Sequence, residues 1–383
     1  MTDQKQVQKG LKGVVADETA ISDVIPQERR LFYRGYPVDE LAEMCRFEEV
    51  AYLLLDGELP TRAELEAFEK QERSARSLSA EQTDLFDLFR PDAAPMDVLR
   101  TAVSLKGSNR PEVFGADLDV IRDHAIRTLA QLPVLIAADR RRRRDEEPIA
   151  PRTDLGIAAN FFHMCFGEVP EQEVVDAFDT SLILYAEHSF NASTFTSRVI
   201  TSTLSDYYGA VAGAIAALKG TLHGGANEAV MEMLLEIEEA EAHPVDWVRE
   251  RLEADEVVMG FGHRIYEHGD SRVPIMNECL RSLAGRTGRE KWIEIAETVE
   301  ETMKEATGIH PNLDYPAGPA YYMMGFEIGL FTPIFVMSRI TGWSAHILEQ
   351  FADNTLIRPT SKYTGPEARS VLPIDERTSA ASR

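Results

Sequence analysis

The chain has 383 residues, a length that predicts two or three domains with a substantial buried core. It carries 40 Lys and Arg residues against 64 Asp and Glu residues, and the net charge of −24 disfavours binding to nucleic acid or to an anionic membrane surface. Because 44% of the residues are hydrophobic, the chain is too apolar to be an acidic disordered segment.

The basic residues are mostly arginine, whereas carboxylates dominate the charged surface. Such a surface suits a cytosol of high salt, where repulsion between like charges is screened over a few ångströms. We therefore expect a halophilic source, with an acidic mesophilic enzyme as the alternative. Cys45, Cys165 and Cys279 are widely spaced and form no CxxC motif, and no signal or transit pattern is found, so a reducing cytoplasm is expected.

Strand signals are confined to the first forty residues, at 13–16 and 31–35. Farther along, apolar residues recur at helical spacing, as in the segment 174–185. The sequence therefore predicts a mostly α fold. A helix rich in small residues is expected over 204–218, and it would allow another helix to approach closely.

Two other segments allow both a structural and a functional interpretation. The basic run 140–144 follows an apolar helix at 129–138 and precedes acidic residues, so it is interpreted as a solvated helix terminus instead of a nucleic-acid patch. The apolar run 321–340 contains Glu327, Pro333 and Arg339 and predicts a buried core helix instead of a membrane span.

Three histidines lie in short segments rich in glycine and small polar residues. His188 follows the 174–185 helix, and both ligand contact and core packing fit that position. His223 precedes a Gly-Gly turn, and Asn227 can cap a helix that begins near Glu228. A histidine at a helix N-terminus is expected to have a lowered pKa and to donate a hydrogen bond while neutral. A structural histidine that braces a turn is the alternative.

His263 follows Gly260 and Gly262, which allow the main chain to approach a ligand, and Arg264 and Arg272 come soon after. The segment is not a dinucleotide fingerprint, because the third glycine and the preceding strand are missing. Guanidinium groups beside an imidazole predict a dicarboxylate pocket. A surface ion-pair cluster is the alternative.

Asp314 lies in a segment whose proline and glycine content predicts a non-helical loop. Its apolar neighbours favour a raised pKa and a role as a general base, while a turn-forming aspartate is the alternative. No metal-binding spacing, nucleophile elbow or phosphate-binding loop is found, so neither a metal nor another cofactor is expected.

Taken together, these segments resemble the citrate synthase family. The resemblance extends over nearly the whole chain and includes the segments 10–22, 31–36, 358–359 and 363–365. It implies a two-domain helical fold, with a large domain of 1–223 and 320–383 and an inserted small domain of 224–319. It also implies that the cleft closes over bound substrate.

The family's mechanism makes Asp314 the base that takes a methyl proton from acetyl-CoA, while His223 donates a hydrogen bond to the enol or enolate. His263 polarises the ketone of oxaloacetate, and hydrolysis of citryl-CoA yields citrate and CoA, the first step of the tricarboxylic acid cycle. The resemblance further implies a homodimer in which one residue enters the partner's site. The implied oxaloacetate ligands are His188, Arg272, Arg339 and, from the partner subunit, Arg358. The implied CoA contacts are Val257, Val258, Gly260, Gly262 and Arg264.

Some positions depart from the family pattern. Glu267 and His268 stand where many relatives carry basic residues, and the run from Tyr315 to Ala317 replaces a commoner aromatic-serine run. Arg264, Lys304 or Lys362 are the candidate replacements for a CoA phosphate contact. The chain lacks the N-terminal extension of NADH-sensitive forms, so no nucleotide allostery is expected.

Three alternatives stay open. A 2-methylcitrate synthase would use the same residues with propionyl-CoA, and one added methylene changes discrimination by only about 1–3 kcal/mol. A non-catalytic helical scaffold that binds a dicarboxylate would not need the base. A metal-dependent lyase would use aspartate and histidine as ligands.

Overall fold

The computed structural model describes residues 7–11, 13–90, 92–266 and 269–377. Glu267 and His268, which depart from the family pattern, lie outside the described residues. Contacts divide the chain into a large unit, Thr19–Leu356, and a small unit drawn from Met1–Glu18 and Ile357–Arg383. The small unit contains short 3-10 turns at Lys9–Leu11 and Ile374–Glu376 and no α-helix or strand within its described residues.

The large unit is mostly α-helical, as predicted. Its helices are, in chain order, α1 (Val38–Met44), α2 (Phe47–Asp56), α3 (Arg62–Ser74), α4 (Ala80–Asp84), α5 (Pro95–Ser108), α6 (Leu118–Arg143), α7 (Ile157–Phe166), α8 (Gln172–Tyr185), α9 (Ala192–Ser202), α10 (Tyr207–Leu218), α11 (Ala226–Glu239), α12 (Pro244–Glu253), α13 (Val273–Thr287), α14 (Lys291–Thr307), α15 (Asp314–Met323) and α16 (Phe331–Ala352).

A small antiparallel sheet precedes the helices. Its strands are β1 (Ser22–Ile25), β2 (Arg30–Tyr33) and β3 (Tyr36–Pro37), in the order β1-β2-β3. Arg34 and Gly35 connect β2 to β3 with φ values of 49° and 89°, the positive pair that a tight hairpin turn requires.

The two strand predictions had different outcomes. The segment predicted at 31–35 overlaps β2, whereas the strand predicted at 13–16 is wrong because those residues form irregular, exposed chain. β1 was not predicted because Ser22 and Asp23 interrupt the apolar alternation that marks a strand.

The core is organised around α16, which packs against α2, α6, α8, α9 and α10. Its residues Phe331 to Ile347 are buried without interruption. Most of the run 321–340 is therefore buried as predicted, although Gly325 and Gly329 are exposed. The run is not one helix, because α15 ends before Gly325, whose φ is 93°. In the described residues no single helix is long and apolar enough to cross a membrane. The helical segments Asp314–Met323 and Ile328–Ala352, bent by 119° relative to each other, satisfy the criterion as a pair by length and composition only.

Close packing between helices occurs at glycine positions, where the missing side chain leaves room for the neighbouring element. In α10, the predicted small-residue helix, a Cβ on Gly213 would lie 2.2 Å from Cδ1 of Ile200 in α9. In α16, a Cβ on Gly342 would lie 2.3 Å from Oε2 of Glu187 and 2.5 Å from the carbonyl oxygen of Ala186. The second contact brings the central helix against the backbone that precedes His188.

The basic run ends α6 at Arg143, so the predicted helix terminus is correct. The prediction that it is solvated is wrong for Arg140, which is 6% exposed. Its Nη2 lies 2.7 Å from Oε1 of Glu327, and its Nη1 donates to the carbonyl oxygen of Cys165. Burial of a guanidinium is tolerated here because it is paired.

Candidate active site

Side chains from six parts of the large unit contact one another or share neighbouring residues. His188 follows the end of α8, His223 lies between α10 and α11, and His263 lies in the segment between α12 and α13. Arg272 caps the start of α13. The two remaining groups are Asp314, at the start of α15, and Arg339, in the middle of α16.

Asp314 is the first residue of α15, so the prediction of a non-helical loop is wrong. Proline is tolerated in the first turn of a helix, where backbone N–H groups have no intrahelical acceptor, and Pro316 occupies such a position. The backbone N–H of Asp314 donates to Oδ1 of Asn312 at 3.1 Å, which helps to anchor the helix start.

The Asp314 carboxylate has the raised pKa that was expected. Burial raises the pKa to about 6, although Tyr185 and Arg272 oppose the shift. The Tyr185 hydroxyl donates to Oδ1 of Asp314 at 2.6 Å. A carboxyl group with this pKa is ionised at neutral pH and is basic enough to take a proton from carbon when the product anion is stabilised.

His223 is oriented by Ser193, the second residue of α9. The backbone N–H of Ser193 donates to Nε2 of His223 at 3.2 Å, and the Ser193 hydroxyl lies 2.8 Å from the same nitrogen. We therefore assign the ring proton to Nδ1. Burial, with a contribution from Arg339, lowers the pKa of His223 to about 4, so the ring is neutral and keeps one N–H donor.

The predicted environment of His223 needs one correction. The shift in pKa follows from burial and Arg339, and Asn227 does not cap the following helix. α11 begins earlier, at Ala226, and Asn227 is buried inside its first turn. The glycine turn is present: a Cβ on Gly224 would lie 2.3 Å from the carbonyl oxygen of Leu218, so only glycine fits.

His263 carries its ring proton on Nε2, whereas His223 carries it on Nδ1. Its Nδ1 accepts from the backbone N–H groups of Ile265 at 3.1 Å and Tyr266 at 3.2 Å, which leaves the proton on Nε2. Burial and the nearby charge of Arg272 lower the pKa of His263 to about 4. This ring is therefore a second neutral donor.

His188 lies beside His263, with ring centroids 5.0 Å apart, and is 4% exposed. Burial, Arg272 and His263 hold its pKa well below the ordinary value. Its buried Nε2 has no hydrogen-bond partner among the described residues. Because buried polar atoms are normally paired, this nitrogen favours ligand contact over core packing.

The backbone before His188 is fixed by the buried carboxylate of Glu187. Its Oε1 accepts from the Ser22 hydroxyl at 2.9 Å and lies 2.9 Å from Nε2 of His346. Burial alone would raise the pKa of Glu187, but His346 and the other partners hold it below the ordinary value. β1 and α16 are thus both tied to the segment that carries His188.

Two buried arginines supply positive charge. Arg272 makes a two-point contact with Asp270, Nε to Oδ1 at 2.9 Å and Nη2 to Oδ2 at 2.7 Å. The pKa of Arg272 is raised because the attraction of Asp270 exceeds the effect of burial. Both residues are buried, so the pair is not a surface ion-pair cluster.

Arg339 is 2% exposed and lies in the same region. Its Nε donates to the carbonyl oxygen of Tyr185 at 2.6 Å, and its Cζ lies 4.7 Å from the ring centre of Phe335. Burial lowers its pKa to about 10, which still leaves the guanidinium charged at neutral pH. The Phe335 ring also contacts Tyr185 and His223, with ring centroids 4.4 and 6.5 Å apart. It therefore connects His223 to Tyr185, the residue that donates to Asp314.

Sequence reasoning missed Tyr185, Ser193 and Asp270 as parts of this arrangement. Tyr185 was counted only in the apolar stripe of α8. Ser193 and Asp270 each lie within a few residues of a predicted site residue, which is the only local signal they carry.

The other predicted residues differ in their exposure. Arg358 is an exposed residue of the small unit, and Val257 is exposed, whereas Val258 is buried. Gly260 and Gly262 have φ values of 83° and 80°, which only glycine adopts readily. The implied CoA contacts stay predictions.

The arrangement combines one carboxylate base, two neutral imidazole donors and two buried guanidinium groups. It is suited to removing a proton next to a carbonyl group, stabilising the resulting oxyanion and holding a small dicarboxylate.

Comparison with known proteins agrees with this chemistry. The family model described as "Citrate synthase, C-terminal domain" matches residues 10–360. A 2-methylcitrate synthase of Mycobacterium tuberculosis is 55% identical over 97% of this chain and 93% of its own length. A citrate synthase of Mycolicibacterium smegmatis is 53% identical over 96% of this chain and 97% of its own.

A solved structure shows the same fold. Citrate synthase of Thermoplasma acidophilum, in a ternary complex with carboxymethyl coenzyme A and oxaloacetate, superposes with a TM-score of 0.91 at 31% identity, over 97% of this chain and 100% of that one. The chain belongs to the citrate synthase family. It is an enzyme of the transferase class.

Proposed function

We propose that the protein condenses acetyl-CoA with oxaloacetate and hydrolyses the citryl-CoA product to citrate and CoA. The observation that carries the proposal is that Asp314, whose pKa is raised to about 6, shares neighbouring residues with two imidazoles of assigned tautomer: Phe335 and Tyr185 link it to His223, and Arg272 acts on both Asp314 and His263. A thioester methyl group is a very weak acid, so its deprotonation needs both a base and a donor to the developing oxyanion.

In this mechanism Asp314 takes a methyl proton from acetyl-CoA, and Nδ1–H of His223 donates to the thioester oxygen. The enolate carbon attacks the ketone carbon of oxaloacetate, whose oxygen receives the proton of Nε2–H of His263. Water then attacks the thioester carbonyl of citryl-CoA and gives a proton back to His263. The carbon–sulfur bond breaks, and the leaving sulfur takes the proton held by Asp314, which releases CoA and citrate.

His188, Arg272 and Arg339 are the proposed ligands of oxaloacetate within one chain. Arg358 is proposed to enter the site of a second subunit, so the active form would be a homodimer. Mixing an Arg358→Ala variant with an Asp314→Asn variant tests this, because hybrid dimers would regain one intact site. Failure to regain activity in a mixture that exchanges subunits would contradict it.

The second candidate is condensation with propionyl-CoA to give 2-methylcitrate. It is favoured by the relative from M. tuberculosis, which carries that name and is 55% identical. Both candidates need the same base and donors, and the preference depends on room for one methylene, worth about 1–3 kcal/mol.

Release of free CoA from purified protein tests both candidates. Oxaloacetate is supplied with acetyl-CoA or propionyl-CoA, and Asp314→Asn serves as a control that preserves size. Faster release with acetyl-CoA that the variant loses would support the first candidate, whereas a higher kcat/KM with propionyl-CoA would support the second. No release with either substrate would contradict both and would favour a non-catalytic dicarboxylate-binding protein.

We also propose that the protein works in a cytoplasm of high salt. The net charge of −24 supports this, because self-repulsion of the folded chain falls as salt screens it. The midpoint of urea unfolding is expected to rise between dilute buffer and molar KCl. A midpoint that is indifferent to KCl would contradict the halophilic assignment.

A further inference from the structure

A cleft of about 80 Å³ lies next to Arg272. Apart from Arg272, it is lined by residues that have no role in the proposed reaction, among them Arg29, Arg30, Asp39 and Ser271. These residues come from the start of β2, the first turn of α1 and the approach to α13. The cleft therefore borders the proposed oxaloacetate ligand Arg272 and shares the start of α13 with the candidate active site, whereas its other residues lie at the start of β2 and of α1.

Positive charge dominates the lining. Three guanidinium groups border the cleft against a single carboxylate, Asp39. Arg272 is paired with Asp270, but within the described ranges neither Arg29 nor Arg30 has a carboxylate within ion-pair distance. The guanidinium of Arg30 lies 4.5 Å from the ring centre of Phe32, and a guanidinium held against an aromatic ring can still donate to an anion from its edge.

Neutral donors occur at the same place. The Ser271 hydroxyl is buried and lies beside the hydroxyl of Tyr266, to which it can donate. Ser271 and Arg272 immediately precede α13, a helix of 15 residues, and Ile275 in its first turn also lines the cleft. The N-terminal end of a helix carries partial positive charge and favours an anion.

The guanidinium of Arg29 packs against the backbone at Gly269. Its Nη2 lies 3.0 Å from the position that a Cβ on Gly269 would occupy, so its guanidinium rests against the backbone just before Asp270. A side chain at position 269 would displace it. The geometry thus brings the charged group of Arg29, the residue just before β2, to the segment that carries the Asp270–Arg272 pair.

We propose that this cleft binds a small oxyanion, a phosphate or a carboxylate, and that the bound anion weakens the binding of oxaloacetate. The guanidinium groups and the Ser271 hydroxyl would donate to its oxygens. Because Arg272 borders both sites, a negative charge in the cleft reduces its attraction for a substrate carboxylate. Thermodynamic linkage requires that bound oxaloacetate weaken the binding of the anion by the same factor. The coupling, but not the anion site, rests on the proposed function.

Direct binding of inorganic phosphate tests the site without any turnover. Calorimetric titration is made at constant ionic strength, balanced with KCl, on the wild type and on the double variant Arg29→Gln/Arg30→Gln. The matched control, Arg90→Gln/Arg100→Gln, removes the same charge outside the cleft. We expect saturable binding that weakens at least tenfold in the first variant and is unchanged in the control. No saturable binding, or equal binding in both variants, would overturn the site.

Oxaloacetate affinity, measured by the same titration, tests the coupling. Saturating phosphate is expected to raise the Kd of oxaloacetate several-fold to a plateau in the wild type and to have no effect in Arg29→Gln/Arg30→Gln. A rise without a plateau that persists in the variant would show competition at the oxaloacetate site and would overturn the coupling, as would no change at all.

Succinate in place of phosphate distinguishes the two sources of the anion. The probe that binds more tightly, and loses its binding in Arg29→Gln/Arg30→Gln, identifies the class. Phosphate binding without CoA release from any acyl-CoA would contradict the proposed function and leave the site standing. CoA release without phosphate or succinate binding would overturn this inference alone.

Discussion

The hydroxyl of Tyr185 donates a hydrogen bond of 2.6 Å to the carboxylate of Asp314, so the last residue of α8 supports the first residue of α15. Burial destabilises the ionised carboxylate and raises its pKa to about 6, while this bond stabilises the ionised form. The strength of the proposed base is thus set by two opposing contributions.

Replacing Tyr185 with phenylalanine is expected to raise the pKa of Asp314 further. A hydrogen bond to a charged group is worth about 1.5–3 kcal/mol, so the acidic limb of the profile of kcat against pH should move up by about one unit or more. Activity should recover at high pH, where the carboxylate is ionised again. The control is Tyr321→Phe, which removes a buried hydroxyl that donates to Ser181. An acidic limb that does not move would contradict the assignment of Asp314 as the base.

Replacing Ser193 with alanine is expected to lower kcat about tenfold, with little change in the KM of oxaloacetate. The variant loses the Ser193 hydroxyl, which lies beside Nε2 of His223 and also accepts a hydrogen bond from Nε1 of Trp343 at 3.1 Å. It keeps the backbone N–H at position 193. A tenfold change corresponds to about 1.4 kcal/mol, the size of one hydrogen bond.

The control for this variant is Ser197→Ala, one turn farther along α9, where the hydroxyl donates to the carbonyl oxygen of Thr194. Steady-state kinetics of both variants provide the comparison. Equal losses in kcat would mean that helix stability, and not the orientation of His223, is responsible.

Replacing Asp270 with asparagine is expected to lower the free energy of unfolding by about 3–5 kcal/mol, because it leaves the charge of Arg272 buried without its carboxylate. Although burial opposes it, Arg272 holds the pKa of Asp270 below the ordinary value. The contribution of Asp270 is therefore present above its unfolded pKa of about 3.9 and is lost as pH falls through the lower folded value.

Urea unfolding at neutral pH and at successively lower pH provides the measurement. The difference between wild type and Asp270→Asn should be largest near neutral pH and shrink in acid. A difference that is independent of pH would show that the carboxylate charge is not what stabilises Arg272.

Replacing Gly342 with alanine is expected to lower the free energy of unfolding by about 1–3 kcal/mol, because the new Cβ would collide with Glu187 and with the backbone of Ala186. The control is Gly285→Ala in α13, where nothing lies within 4 Å of the added atom. That change should be stabilising by up to about 1 kcal/mol, since alanine favours the helix. Thermal unfolding of the two variants should shift in opposite directions, and a common shift would contradict the packing described for α16.

Local patterns predicted the helical class and the segments that carry the histidines, because periodicity and glycine-rich turns are properties of neighbouring residues. They failed at Asp314, where proline content suggested a loop although a proline fits the first turn of a helix. They also failed at Arg140, because its acceptor Glu327 lies 187 residues farther along the chain.

The hydrogen-bond and ion-pair partners of the site residues could not be predicted either, because they depend on contacts that form only in the folded chain. Tyr185 and Asp314 are 129 residues apart, and the pairing of Asp270 with Arg272 matters only because packing buries both. Nothing in the spacing of Tyr185 separates a hydrogen-bond donor from an apolar residue of α8. The burial that shifts each pKa likewise arises only when distant helices meet.

The three groups proposed for the reaction also respond to acid in a fixed order. Asp314 takes up a proton near pH 6, whereas His223 and His263 stay neutral until about pH 4. Between these values a single proton separates the working enzyme from the idle one. Turnover should therefore fall through a single ionisation as the pH drops below about 6, and it should recover when the pH is raised again, since neither ring has changed its charge.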